Sequence, residues 1–186
     1  MCKIKIDLDS YKEFFKSECG LKLITEIIDS GDYDAVRGVA KWGECTADIL
    51  DKIATKYMSE DKIRKNLELL EDVAEHSKVS VKTLEKLFDF ASGYVGYYSE
   101  AVEVLEEIAE SKKLNDDIAW KLYNLAVKKM LIDVIEELAE NRKTPDEILF
   151  AIVDTDSKQR KECLKAYEQI AKRYKKLIEK DKKEEN

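Results

Sequence analysis

Side chains able to do covalent or metal chemistry are few and scattered in this chain of 186 residues. Cys2, Cys19, Cys45 and Cys163 form no C-x-x-C pair, so neither a thiolate zinc site nor a redox motif is expected. Reduced, isolated thiols are their ordinary state in the cytosol. His76 is the sole histidine, and a His-based metal centre would have to recruit carboxylates or thiolates from distant parts of the chain. No G-x-S-x-G, G-x-x-x-x-G-K-[ST] or G-x-G-x-x-G run occurs, so the nucleophile elbow and the phosphate-cradling loop are both missing. Asp116–Asp117 and Asp154 with Asp156 have the chemistry to hold magnesium, yet neighbouring acids are common when 39% of residues are charged. Asp116 and Asp117 read better as acids stabilising the positive end of a helix. The expectation is a protein that is not an enzyme and carries no metal or other cofactor.

What the chain has in abundance is carboxylate. Its 40 Asp+Glu against 33 Lys+Arg give a net charge of −7, and the two signs are segregated. Residues 1–157 hold 22 bases against 34 acids, a balance of −12, while residues 158–186 hold 11 against 6, a balance of +5. An acidic body repels phosphate, so direct nucleic-acid binding is not expected. The basic run Lys172-Arg173-Tyr174-Lys175-Lys176 could touch an anionic partner or simply be the solvated last helix. No apolar run is long enough to cross a membrane, and the first residues lack the apolar core of a signal peptide; a cytoplasmic location is expected.

The elements that position these carboxylates follow from a repeat. A single proline and six glycines in a chain that is 44% apolar favour helices over a sheet protein with its many turns. Ser10-Tyr11-Lys12-Glu13 has the form of a capping box, and Gly20 and Gly31 are placed to end short helices. Beyond Gly31, four stretches align on Ala40, Ala74, Ala109 and Ala139, at steps of 34, 35 and 30 residues. Four residues before each alanine stand Val36, Leu70, Leu105 and Ile135; five after it come Cys45, Val79, Leu114 and Thr144, then Thr46, Ser80, Asn115 and Pro145. Ten after it are Leu50, Leu84, Ala119 and Leu149, and thirteen after it Ile53, Leu87, Leu122 and Ile152. Such spacing gives each unit two helices facing one core, joined by a short loop that ends in a capping residue. In the last unit, Thr144-Pro145-Asp146-Glu147 combines an N-cap, a proline at the first helical position and a reciprocal glutamate. The spacing therefore predicts an all-α fold, a short α-solenoid of about four helix-pair repeats in one domain. Residues 1–31 form its N-terminal cap, 32–156 the repeats, 157–180 a C-terminal capping helix and 181–186 a frayed tail. The last turn between repeats is expected near Lys128–Met130.

The segment Ile135-Glu136-Glu137-Leu138-Ala139-Glu140-Asn141-Arg142-Lys143-Thr144-Pro145-Asp146-Glu147-Ile148-Leu149 resembles the leucine-rich repeat variant signature, with its A-x-N loop and a T-P pair ahead of a leucine-containing helix. Residues 34–54 echo it, and the resemblance spans roughly residues 32–153. The units are longer than that family's usual repeat and closer to HEAT-like helix pairs. The resemblance implies a curved helical array used as a binding scaffold, without naming a ligand. The iron–sulfur cluster of some such proteins is not implied, because the four cysteines do not gather in sequence.

In a stack of such units, equivalent positions become columns. Glu71, Glu106 and Glu136 stand three before the aligned alanine, Asp72, Glu107 and Glu137 two before it, and Glu75, Glu110 and Glu140 one after it. The first and last of these positions are four apart and share a helix face, so the nine carboxylates would form an acidic ridge that attracts basic partners. The plain alternative is a solvated outer face that keeps the array soluble. Unit one breaks the pattern with Arg37, Gly38 and Lys41. A second candidate surface is aromatic. Tyr94, Tyr97 and Tyr98 lie in a loop with Gly93 and Gly96, a composition suited to interfaces, unless Tyr97 and Tyr98 begin the next helix and pack inward. Trp42 and His76 share the position two after the alanine with Ser111 and Asn141, along a loop edge, where Trp42 could equally cover the end of the array. Trp120 is expected half exposed on the second-helix face. Two functions fit. One is a protein–protein interaction module recognising a partner, with a basic surface in the case of the ridge. The other is an acidic inhibitor, of the kind a virus or mobile element could encode, that blocks the basic nucleic-acid cleft of a nuclease or related enzyme.

Overall fold

The structure is a computed structural model that describes residues 17–42, 44–59, 61–154, 165, 166 and 168–175. Every regular element among these residues is α-helical: α1 (Glu18–Ser30), α2 (Tyr33–Ala40), α3 (Ala47–Tyr57), α4 (Ile63–Glu75), α5 (Val81–Ser92), α6 (Ser99–Glu110), α7 (Asp116–Lys129), α8 (Ile132–Glu140) and α9 (Asp146–Asp154). Residues 165, 166 and 168–175 are helical as well and are called the C-terminal helix below. The capping box at Ser10–Glu13, the residues Cys2, Cys163 and Asp156, and the tail at 181–186 lie outside the described residues.

Local sequence accounts for most helix boundaries. Ahead of α3, α5 and α7, the side chains of Thr46, Ser80 and Asn115 accept hydrogen bonds from the N–H groups of Ile49, Thr83 and Ile118. These are backbone donors that a helix start leaves without internal partners. Gly31 ends α1 in the left-handed conformation at φ 74°, which glycine adopts without steric cost. Gly20 does not end a helix. It is buried in the first turn of α1, where its N–H donates to Ser17 Oγ, because the serine ahead of it supplies a start signal stronger than the glycine's tendency to stop. The boundary between α7 and α8 falls at Met130, which takes φ 59°. The capping expected of Thr144 is not made: its Oγ1 is buried without a hydrogen-bond partner, and α9 begins at Asp146.

The packing follows chain order. Each helix packs on the one after it and, from α2 onward, on the one two places along: α2 on α4, α4 on α6, α6 on α8, and on the other side α3 on α5, α5 on α7, α7 on α9. Ala40, Ala74, Ala109 and Ala139 are all buried at the ends of α2, α4, α6 and α8, where a methyl group lets neighbouring backbones come close. Leu50, Leu84, Ala119 and Leu149 and then Ile53, Leu87, Leu122 and Ile152 are buried on the second helix of each pair. No described helix is long and apolar enough to cross a membrane.

Candidate functional site

The carboxylates of α4, α6 and α8 converge because these helices run side by side. Glu107 feels the negative charges of Glu75 and Glu71 on α4, while Glu106 feels Asp133 and Glu137 on α8. Burial, followed by that repulsion, pushes both carboxyls up to about 7 from the ordinary 4.5. The same two causes raise Glu137, whose strongest charged neighbours are Glu110 and Glu140, and Glu71, which faces Glu103. Helix α6 has nothing of its own to offset this, since no base occurs between Lys86 and Lys112. Among the described residues, Glu71, Glu75, Glu106, Glu107 and Glu110 enter no ion pair. Glu103 and Asp133 belong to the same face, although their positions in the repeat do not reveal it.

Asp72 does not join this open face. It is buried, its carboxylate held by Arg37 Nε at 2.5 Å and Lys41 Nζ at 3.1 Å. The bases that break the acidic pattern in the first pair are therefore the partners of the next pair's aspartate. At the other end, Lys165 of the C-terminal helix pairs with both Glu136 and Glu140. Gln169 donates to the Glu140 carbonyl at 2.5 Å, and Arg173 pairs with Asp146 and donates to the Arg142 carbonyl at 3.0 Å.

Position two after the alanine has a structural use. His76 is buried; the Lys78 N–H donates to its Nδ1 at 3.1 Å, so Nε2 carries the proton and donates to the Trp42 carbonyl at 3.0 Å. Asn141 does the same, accepting from the Lys143 N–H at 2.9 Å and donating to the carbonyls of Ala109 and Ser111 at 2.5 and 3.0 Å. Ser111 accepts from the Lys113 N–H at 3.2 Å, and its side chain is shorter than either. Clefts open at these junctions. One of about 190 Å³ is lined by Glu75, Glu107, Glu110 and Lys112, and one of about 520 Å³ by Glu110, Glu137, Glu140 and Arg142.

The aromatic residues divide. Tyr94 and Tyr98 pack partly on the core, with Tyr94 5.0 Å from the Phe90 ring and 6.2 Å from Tyr98, and Tyr97 stands 81% exposed. Tyr98 occupies the cap position at the start of α6, beside the start of α4, where Arg64 pairs with buried Glu100 at 2.5 Å. Half-buried Trp42 and buried His76 lie at the opposite helix ends, about 18 Å away for a helix of this length. The structure does not bring the two groups together. Trp120 is 38% exposed on α7, edge-on to Tyr123 at 5.9 Å.

Candidates for chemistry stay apart. Asp116 and Asp117 are exposed in the first turn of α7 behind Asn115. Cys45 is buried and its thiol raised to about 11, chiefly by burial, which makes it a poor nucleophile. No three of the described His, Cys, Asp and Glu residues converge on a point that could hold a metal ion. Compared with known proteins, the chain matches no family model, no curated protein and no solved structure.

Proposed function

We propose that this chain is a non-catalytic protein-binding module, an α-solenoid of about four helix-pair repeats closed by capping helices, similar in plan to leucine-rich repeat variant and HEAT-like arrays. The register of its long-range contacts supports the array. Tyr33 Oη with the Lys65 carbonyl, Arg37 with Asp72, His76 with Trp42, Lys86 with Asp51, and Asn141 with Ala109 all span 32 to 35 residues, close to the repeat step. Stacked units of this kind expose one long surface, and binding is what such a surface does.

The observation that carries the binding reading is the carboxylate face of α4, α6 and α8, where burial and repulsion act together on Glu106 and Glu107. Holding like charges together costs stability; a partner that neutralises them recovers it. The test is affinity purification from the native cytoplasm with mass spectrometry, using the wild-type chain and one with Glu106, Glu107 and Glu110 changed to Gln, which leaves the Lys165 pairs with Glu136 and Glu140 intact. A partner retained by the wild type and lost by the variant is the expected result; equal recovery by both would contradict it. The same face favours a second reading, an inhibitor that fills a nucleic-acid cleft. Its mark is a captured enzyme that no longer binds nucleic acid, with affinity falling steeply in salt.

A further inference from the structure

The helices α3, α5, α7 and α9 differ in what they show to solvent. Eleven residues after the first two aligned alanines stand Asp51 and Glu85, and Asp51 of α3 is engaged by Lys86 and Thr83 of α5. Eleven after the last two stand Trp120 and Phe150, 38% and 46% exposed on the adjacent helices α7 and α9. Along α7, Val127 follows Trp120 by seven residues, two turns on the same face, and is 47% exposed. Half-buried Tyr123 lies between them, edge-on to Trp120 at 5.9 Å. Apolar side chains grouped in this way on an otherwise charged surface mark a contact.

The charges of α7 select the occupant. Asp116 and Asp117 are exposed in its first turn, Lys128 and Lys129 in its last, and none of the four pairs with another described residue. Such placement suits the helix dipole, and it also makes the face complementary to a copy of itself turned end for end. An antiparallel alignment that sets Asp117 against Lys128 sets Asp116 against Lys129 and Lys121 against uncharged Asn124. No like charges meet along the helix. Lys121 is itself engaged by α5, 4.0 Å from Asp89 and 5.8 Å from the Phe88 ring centre. In the same alignment Trp120 of one chain stands about 3 Å along the axis from the level of Val127 of the other. Exposed charges beside α7 are mixed, Lys82 and Asp89 on α5 and Glu147 and Asp154 on α9, and favour no other partner. We propose that α7, flanked by Phe150, is a homodimer contact, in which two copies of this chain pack antiparallel about a two-fold axis between Leu122 and Tyr123. A two-fold contact needs a surface that answers itself, which this one does in both its charged ends and its apolar middle. It lies on the other row of helices from the carboxylates of α4, α6 and α8 and is independent of the reading given to them.

Sedimentation equilibrium of the full chain over a range of concentrations is the test. A contact centred on one helix is small, so the expected dimer is a reversible one that dissociates on dilution. Trp120→Ala with Val127→Ala is expected to weaken it by about tenfold or more. Asp116→Lys with Asp117→Lys, and in a second chain Lys128→Glu with Lys129→Glu, make the two ends of α7 alike in charge. Each of these variants is expected to stay monomeric alone, and the two to form a heterodimer when mixed, because every end then meets its opposite. Circular dichroism verifies the fold of each; should a charge variant lose helix, the alanine pair decides alone. A wild type that stays monomeric throughout, a dimer unmoved by the alanine pair, or a mixture of folded charge variants that remains monomeric would each overturn the proposal. Growth beyond the dimer would do the same, since a two-fold contact closes on itself. Any of these failures leaves the acidic face as it stands, because the contact uses none of its glutamates.

Discussion

His76 shows how a residue that looks available for chemistry is used for construction. Both ring nitrogens are engaged, one by the Lys78 N–H and one on the Trp42 carbonyl, and Asn141 makes the equivalent pair of contacts two junctions later. An amide can therefore stand in for the imidazole. His76→Asn is expected to stay within about 0.5 kcal/mol of wild type, whereas His76→Ala loses about 1–2 kcal/mol by leaving the Trp42 carbonyl without its donor, as read by urea unfolding. Thr144 is the reverse case. Its hydroxyl is buried without a partner, while Cys45, Val79 and Leu114 occupy the same repeat position with apolar side chains. Thr144→Val is expected to stabilise by about 1 kcal/mol and raise the melting temperature by about 2–4 °C. From sequence alone His76 reads as a contact residue, because the reach of its side chain to the Trp42 carbonyl, 34 residues earlier, depends on how the helices pack.

At the scale of the element, the alanine column fixes how closely helices approach. Ala109 is fully buried near the end of α6, between α4 and α8. Ala109→Leu is expected to cost about 1–3 kcal/mol by overpacking, and a neutral result would show that the helices do not meet there. Arg37 ties α2 to α4 through a carboxylate whose side chain is only 4% exposed. Arg37→Ala is expected to cost about 1–3 kcal/mol, most of it from leaving Asp72 underpaired. Helix starts at Thr46, Ser80 and Asn115 were legible in the sequence because capping is local. The burial of the alanines and of the positions ten and thirteen beyond them was legible because periodicity encodes faces. Gly20 misleads, since a glycine's meaning depends on which side the cap stands, and Asp72 reads from sequence as a ridge member because its two cations come from another helix.

Across the whole molecule, charge is arranged as a run of acidic first helices with bases at both ends. The acidic columns are legible as recurring glutamates, but their paired ends are not, because ion pairs between residues some thirty positions apart depend on how the helices pack. This arrangement makes stability depend on pH. A carboxyl with a higher pKa folded than unfolded binds more protons in the folded state, so its contribution is fully present below about 4.5 and lost as pH rises through about 7. The melting temperature is therefore expected to fall between pH 6 and pH 8, and Glu106→Gln with Glu107→Gln is expected to flatten that slope.

The claim on which the acidic face stands is that glutamates from successive helix pairs crowd one another around α6. Carboxyl ¹³C NMR titration of the glutamate side chains measures this at single sites. Two resonances, assigned to Glu106 and Glu107 by their loss in the corresponding glutamine variants, are expected to titrate close to pH 7. Titration of every glutamate near the unperturbed value of about 4.3 would contradict the account, since Glu106 and Glu107 would then be neither buried in the face nor crowded by its other carboxylates.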